Sequence, residues 1–140
     1  KGLISILLVL LLNGYGEEIG WRGYLGEKFL KNESVAKAAG KIWLVWTPWH
    51  IPLFFVLDTY RNMSPFMILG WLVSIYFGSV VLTWFYKYSN NSILVVVLWH
   101  IAYNLSVATA ASKGIATSIV SSLVVIGALI ILKRDRVNKS

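Results

Sequence analysis

The chain has 140 residues, of which 57% are hydrophobic and 14% charged, with a net charge of +7 and no cysteine. A soluble domain carries about 25% charged residues, whereas here the mean hydropathy is +0.68 and the apolar residues come in membrane-length blocks, so the composition points to an integral membrane protein. The missing cysteines exclude disulfides and thiolate metal sites, and the positive charge concerns topology and anionic lipid before nucleic acid.

Five apolar segments follow one another, at residues 2–25, 38–57, 65–86, 93–111 and 115–132. Each is near the ~20 residues a membrane-crossing helix needs. Short polar connections separate them, and a basic tail follows. The expected fold is all-α, a polytopic transmembrane helical bundle of about five spans. It forms one domain over residues 1–140, with upstream helices possible because the chain begins at Lys1 rather than Met. Residues 2–12 have the length of a signal-peptide core, but the apolar stretch continues without a small-residue cleavage site, so a retained helix is expected.

If the segments alternate, Lys28, Lys31, Lys37, Lys41, Lys87, Lys133, Arg134, Arg136 and Lys139 fall on one side. Only Lys1, Arg61 and Lys113 fall on the other. This bias places the C-terminus and the loop at 26–37 in the cytoplasm. A bacterial cytoplasmic membrane is the expected location. Trp21, Trp46, Trp49 and Trp99 are expected to pack or to anchor the chain at the membrane interface, and Gly70, Ser74 and Gly78 to permit close helix packing.

The first segment carries Glu17-Glu18-Ile19-Gly20-Trp21-Arg22. Ionisable residues at membrane depth are costly and mark functional sites. On a helix, Glu18 and Arg22 stand at i,i+4 and can pair, while Glu17 lies about 100° further round. One carboxylate is thus tied down and the other is available. The second segment reads Trp46-Thr47-Pro48-Trp49-His50-Ile51-Pro52, where two prolines remove backbone donors and break or kink the helix beside His50. Irregular backbone at membrane depth is tolerated at a wet cavity, so His50 is a candidate wall residue. In the fourth segment His100 and Asn104 stand at i,i+4 on one face.

Peptide hydrolysis inside a membrane needs a water, a base to activate it, and donors for the oxyanion. Glu17 can be the base, with His50 sharing the proton or positioning the water. His100 and Asn104 can donate to the oxyanion, and Glu18 with Arg22 can fix the first helix. The rival is a zinc site with Glu17, His50 and His100 as ligands, although no His-Glu-x-x-His helix is present.

These three motifs in order resemble the CPBP family of intramembrane proteases, also called Abi or CAAX-protease-like, which includes the type II CAAX prenyl endopeptidases. The resemblance runs from about residue 12 to 106, with Trp46 standing where Phe is common. It implies a glutamate-dependent endopeptidase in which Glu17 and His50 activate water while His100 and Asn104 stabilise the oxyanion. It favours no cofactor, with zinc as the alternative because the family was earlier described as metal-dependent. The implied substrate is a peptide or a membrane-associated protein, lipidated or not, and the other expected partner is membrane lipid rather than nucleic acid. A non-catalytic bacteriocin self-immunity or scaffold protein is the alternative reading. A cation-coupled transporter is a weaker one, since repeat symmetry and paired broken helices are missing.

Overall fold

Ser64 and Pro65 set the start of the longest apolar helix. The Ser64 hydroxyl accepts from the Met67 backbone N–H at 3.3 Å, and Pro65 sits in the first turn, where a missing N–H removes no bond. From there the helix runs over Pro65–Tyr88.

The structure is a computed structural model that describes residues 2, 11–12, 14–108 and 115–137. Most of the first apolar run, together with Lys1, Lys113 and Lys139 of the charge pattern, lies outside the described residues. Among the described residues the regular structure is entirely helical. Helix α1 covers residues 14–30: its middle, Ile19–Gly26, is wound as a π-helix, and Glu27–Leu30 returns to α. The others are α2 (Val35–Trp49), the short α3 (Leu53–Val56) and α4 (Asp58–Arg61), α5 (Pro65–Tyr88), α6 (Ile93–Ala108) and α7 (Ile115–Val137).

The all-helical class agrees with the sequence. Among the described residues one helix, α5, is long and apolar enough to cross a membrane, with mean hydropathy 2.0 over its most apolar 18 residues. The apolar part of α6 is shorter. The second apolar segment is not one continuous helix. Pro48 fits inside α2, but the helix stops at Trp49, and a turn through His50–Pro52 leads into α3. The break expected from the two prolines is therefore present.

Helix α5 packs chiefly against α2 and α7. Its Ser79 hydroxyl donates to the Ala39 carbonyl at 2.9 Å, and Trp43 Nε1 of α2 donates to the Leu72 carbonyl at 3.0 Å. Val35, Ala39, Val80, Val81, Ala128 and Ile131 form one buried cluster of α2, α5 and α7. A second cluster, Ile42, Trp46, Ile75, Leu82, Tyr86 and Val96, reaches from α2 and α5 to α6. One turn further along α7, the Asp135 carboxylate accepts from the Ala36 N–H at 3.0 Å. It satisfies a backbone donor in the first turn of α2, where negative charge also suits the helix dipole.

Between α5 and α6 the chain reverses at Asn90 and Asn91, both left-handed at φ of 57° and 58°, a conformation that Asn tolerates better than most residues. Helix α1 docks on α6 through two glycines. A Cβ at Gly14 would lie 3.0 Å from Ile101 Cγ1, and one at Gly23 would lie 3.1 Å from Ile93 Cδ1. Gly70 and Gly78 do not perform the packing role expected of them, because an added Cβ there meets nothing within 4 Å.

Gly23→Val should push α1 from α6 and destabilise the fold by about 1–3 kcal/mol, read as a lower thermal midpoint in detergent. Gly20→Val, at a position where a Cβ meets nothing within 4 Å, should show a much smaller loss.

Candidate active site

Glu18 and Arg22 are both completely buried. Arg22 Nη1 donates to both carboxylate oxygens of Glu18, at 2.9 and 3.0 Å. This is the i,i+4 pair read from the sequence. It lies where α1 passes into the π-helix, whose i→i+5 pattern widens the turn. The guanidinium also lies over the Trp46 indole, 4.6 Å from the ring centroid, a cation–π contact strengthened by desolvation.

A third group completes the cluster. His100 Nδ1 lies 2.7 Å from Glu18 Oε1. A carboxylate paired with Arg can only accept, so Nδ1 carries the proton and Nε2 is the nitrogen left for chemistry. Glu18 is therefore more than the anchor of α1: it also orients His100, which is 82 residues away in sequence.

Glu17 and His50 are joined through one residue. Trp46 Nε1 donates to Glu17 Oε2 at 2.9 Å, and the Trp46 carbonyl lies 2.8 Å from His50 Nδ1. A carbonyl has no proton to give, so His50 also holds its proton on Nδ1. The end of α2 explains why this carbonyl is open to the ring. The His50 backbone N–H donates to the Thr47 carbonyl at 3.1 Å, tightening the last turn and turning from the α-helical acceptor, Trp46.

A cavity of about 260 Å³ adjoins these groups. His50, His100 and Asn104 line it, as the sequence suggests, together with Trp46, Tyr60, Trp71, Trp99 and Tyr103. Ser74 and Gly78 of α5 also face it, and their small size leaves room there. Glu17 is not among the lining residues and is tied to the wall by its hydrogen bond from Trp46. No hydrogen bond joins Glu17 directly to His50 among the described residues.

Two residues make site contacts that the sequence reading did not give them. Trp46 packs as expected, 6% exposed in a buried cluster. Its rings lie within aromatic contact of both histidines, 5.5 Å from His50 and 5.8 Å from His100. Tyr60, in the connection after α3, enters the wall by packing against Phe54 and Trp71. Burial pushes its hydroxyl above the ordinary tyrosine range, Trp71 opposes the shift, and the charge of Glu17 adds to it. Tyr60 is thus a proton-bearing donor at neutral pH. The i,i+4 rules could not reveal either contact, since one depends on where α1 meets α2 and the other on where α4 meets α3 and α5.

Among the described residues no three of His, Asp and Glu, the alternative set of Glu17, His50 and His100 included, are grouped closely enough to hold a metal ion.

Removing one partner of the buried pair leaves an uncompensated charge. Arg22→Met should therefore cost about 3–5 kcal/mol, measured by denaturation in micelles, and should release His100 from its fixed position. Arg22→Lys should recover only part of this, because an ammonium cannot stack as a plane on Trp46.

The family model for "Type II CAAX prenyl endopeptidase Rce1-like" matches residues 1–106. The chain is 32% identical over 107 residues to the CAAX prenyl protease 2 of Methanococcus maripaludis, a match that covers 74% of this chain and 40% of that protein. The chain thus spans less than half the length of this curated relative. No solved structure matches it. The three motifs lie inside the matched region, and the chain belongs to the Rce1-like family of type II CAAX prenyl endopeptidases.

Proposed function

We propose that this chain carries the catalytic centre of an intramembrane endopeptidase of the glutamate–water type. The observation that carries the reading is the meeting of two separately organised groups at Trp46, beside one cavity. Glu17 and His50 are coupled through Trp46, and His100 is held by a buried Glu18–Arg22 pair.

In the proposed reaction a water gives a proton to Glu17, and the resulting hydroxide attacks the scissile carbonyl carbon. His50 positions the water through Nε2. As the carbonyl oxygen gains charge, His100 and the Asn104 amide donate to it. His100 can donate from Nε2 while Nδ1–H remains bonded to Glu18 only as an imidazolium. With the water proton on Glu17, the charges of Glu18, Arg22, His100 and the oxyanion then sum to zero, which suits a buried cluster. When the intermediate collapses the C–N bond breaks, and Glu17 returns its proton to the leaving amine.

The proposed substrate is a peptide or membrane-associated protein, lipidated or not. An apolar cavity of about 550 Å³ supports a lipidated one. It is bounded by α5, α6 and α7, and shares Trp99 and Tyr103 with the wall of the catalytic cavity. Integral membrane placement is supported by α5, of whose most apolar window only 28% is buried. Exposed side chains such as Phe55, Phe66 and Leu69 add to that support. The cavity is proposed to open towards the cytoplasm, on the side of the basic C-terminus.

The test is cleavage of a membrane-reporter peptide library by purified protein in detergent. Glu17→Gln and His50→Ala should each lower kcat by about 10²–10⁴-fold, and a strong chelator should leave the wild type unchanged. Loss on chelation that zinc restores would overturn the glutamate–water mechanism. If the wild type cuts nothing while the variants fold alike, a non-catalytic immunity or scaffold role replaces the protease.

A further inference from the structure

We infer that Trp46 is a positioning residue for the catalytic carboxylate, one that sets which oxygen of Glu17 meets the water and which nitrogen of His50 faces it. The inference rests on the protease reading above and deepens the description of that same site.

One residue makes both connections. Through its side chain, Trp46 Nε1–H holds Glu17 Oε2 at 2.9 Å. Through its backbone, the Trp46 carbonyl holds His50 Nδ1–H at 2.8 Å. Glu17 Oε1 and His50 Nε2 are left as the acceptors of the pair. A water between Glu17 and His50 then meets two lone pairs of fixed direction. A free carboxylate could instead rotate and present either oxygen.

The indole is itself held on several sides. Its face carries the Arg22 guanidinium at 4.6 Å, the His100 ring meets it edge-on at 5.8 Å, and the residue is 6% exposed. A donor fixed in this way does not reorganise during reaction, which is what makes such dipoles effective in a water-poor site. The carboxylate has further charged and titratable neighbours. Glu18 and Arg22 lie on its own helix, His50 is at the end of α2, Tyr60 is on α4 and His100 is on α6. The Glu17 charge acts on both Arg22 and Tyr60. Among them, Trp46 Nε1 makes the hydrogen bond to Glu17.

The experiment removes that N–H alone. Trp46 is replaced by benzothienylalanine, in which sulfur stands for the indole N–H at nearly constant shape, and in parallel by Phe. The benzothienylalanine variant should fold with a thermal midpoint near that of the wild type, and the Phe variant, which also truncates the buried ring, with a lower one. Because a hydrogen bond to a charged group is lost, kcat should fall about 10- to 100-fold with KM little changed.

A second readout needs no substrate. A membrane-permeant carbodiimide attacks protonated carboxyls, and mass spectrometry reports its attachment to Glu17. At neutral pH Glu17 should be labelled faster in both variants than in the wild type. Equal labelling in all three proteins overturns the inference, whatever the activities. Faster labelling with unchanged kcat overturns it as well, because the bond then has no part in the reaction. Faster labelling in a protein whose wild type cuts no substrate upholds the hold on Glu17 and overturns the protease reading instead.

Discussion

A carboxylate without exposed surface has to be met by donors from the protein, and at Glu18 those donors come from two helices. Arg22 arrives from one turn further along α1, and His100 from the middle of α6. Each contact alone is local chemistry. Together they fix the distance and rotation of α1 against α6, because a buried charge tolerates little displacement from its partners. The glycine contacts on either side of this cluster, Gly14 with Ile101 and Gly23 with Ile93, let the two helices come close enough for the bond to form. Small residues and a charge pair thus serve one constraint.

The rest of the site depends on that docking. Trp46 can lie beneath Arg22 only if α1 is seated, and from that position it reaches Glu17 with one edge. The break after α2 then brings His50 back to the carbonyl of the same residue. The break therefore does more than interrupt a helix. The tightened last turn of α2 leaves the Trp46 carbonyl where His50 can use it, and the break turns the chain through α3 and α4 so that Tyr60 joins the cavity wall.

Local spacing accounts for what could be read from the sequence. Glu18 with Arg22, and His100 with Asn104, are i,i+4 relations that hold wherever a helix forms. The break beside His50 follows from the covalent structure of proline. The Glu18–His100 contact was not legible, because spacing within one helix does not say which face of another it will meet. Trp46 packs as expected, but its hydrogen bond to Glu17 was not legible for a related reason. Its size and apolarity suit packing or a membrane interface equally well, and its N–H acquires a role only once Glu17 stands opposite. The expectation of five spans came from apolar length alone. Length does not distinguish one helix from a helix, a turn and two short helices, which is what residues 38–61 form. The π-winding of Ile19–Gly26 carries no sequence signal that the α-helical period would expose.

Helix α7 lies beyond the region matched by the family, yet it is built into the same framework. Asp135 near its end holds the first turn of α2, and Ala128 and Ile131 fill the cluster shared by α2 and α5. Val124 reaches the cavity lined by His50 and His100. The position of α2 is therefore determined from both ends: by the Asp135 contact at its start and by the Trp46 contacts near its finish. His50 follows immediately after that second point, so its placement depends on α7 as well as on α1. A change at Asp135 would act on the site through α2, by altering the angle at which Trp46 meets Glu17.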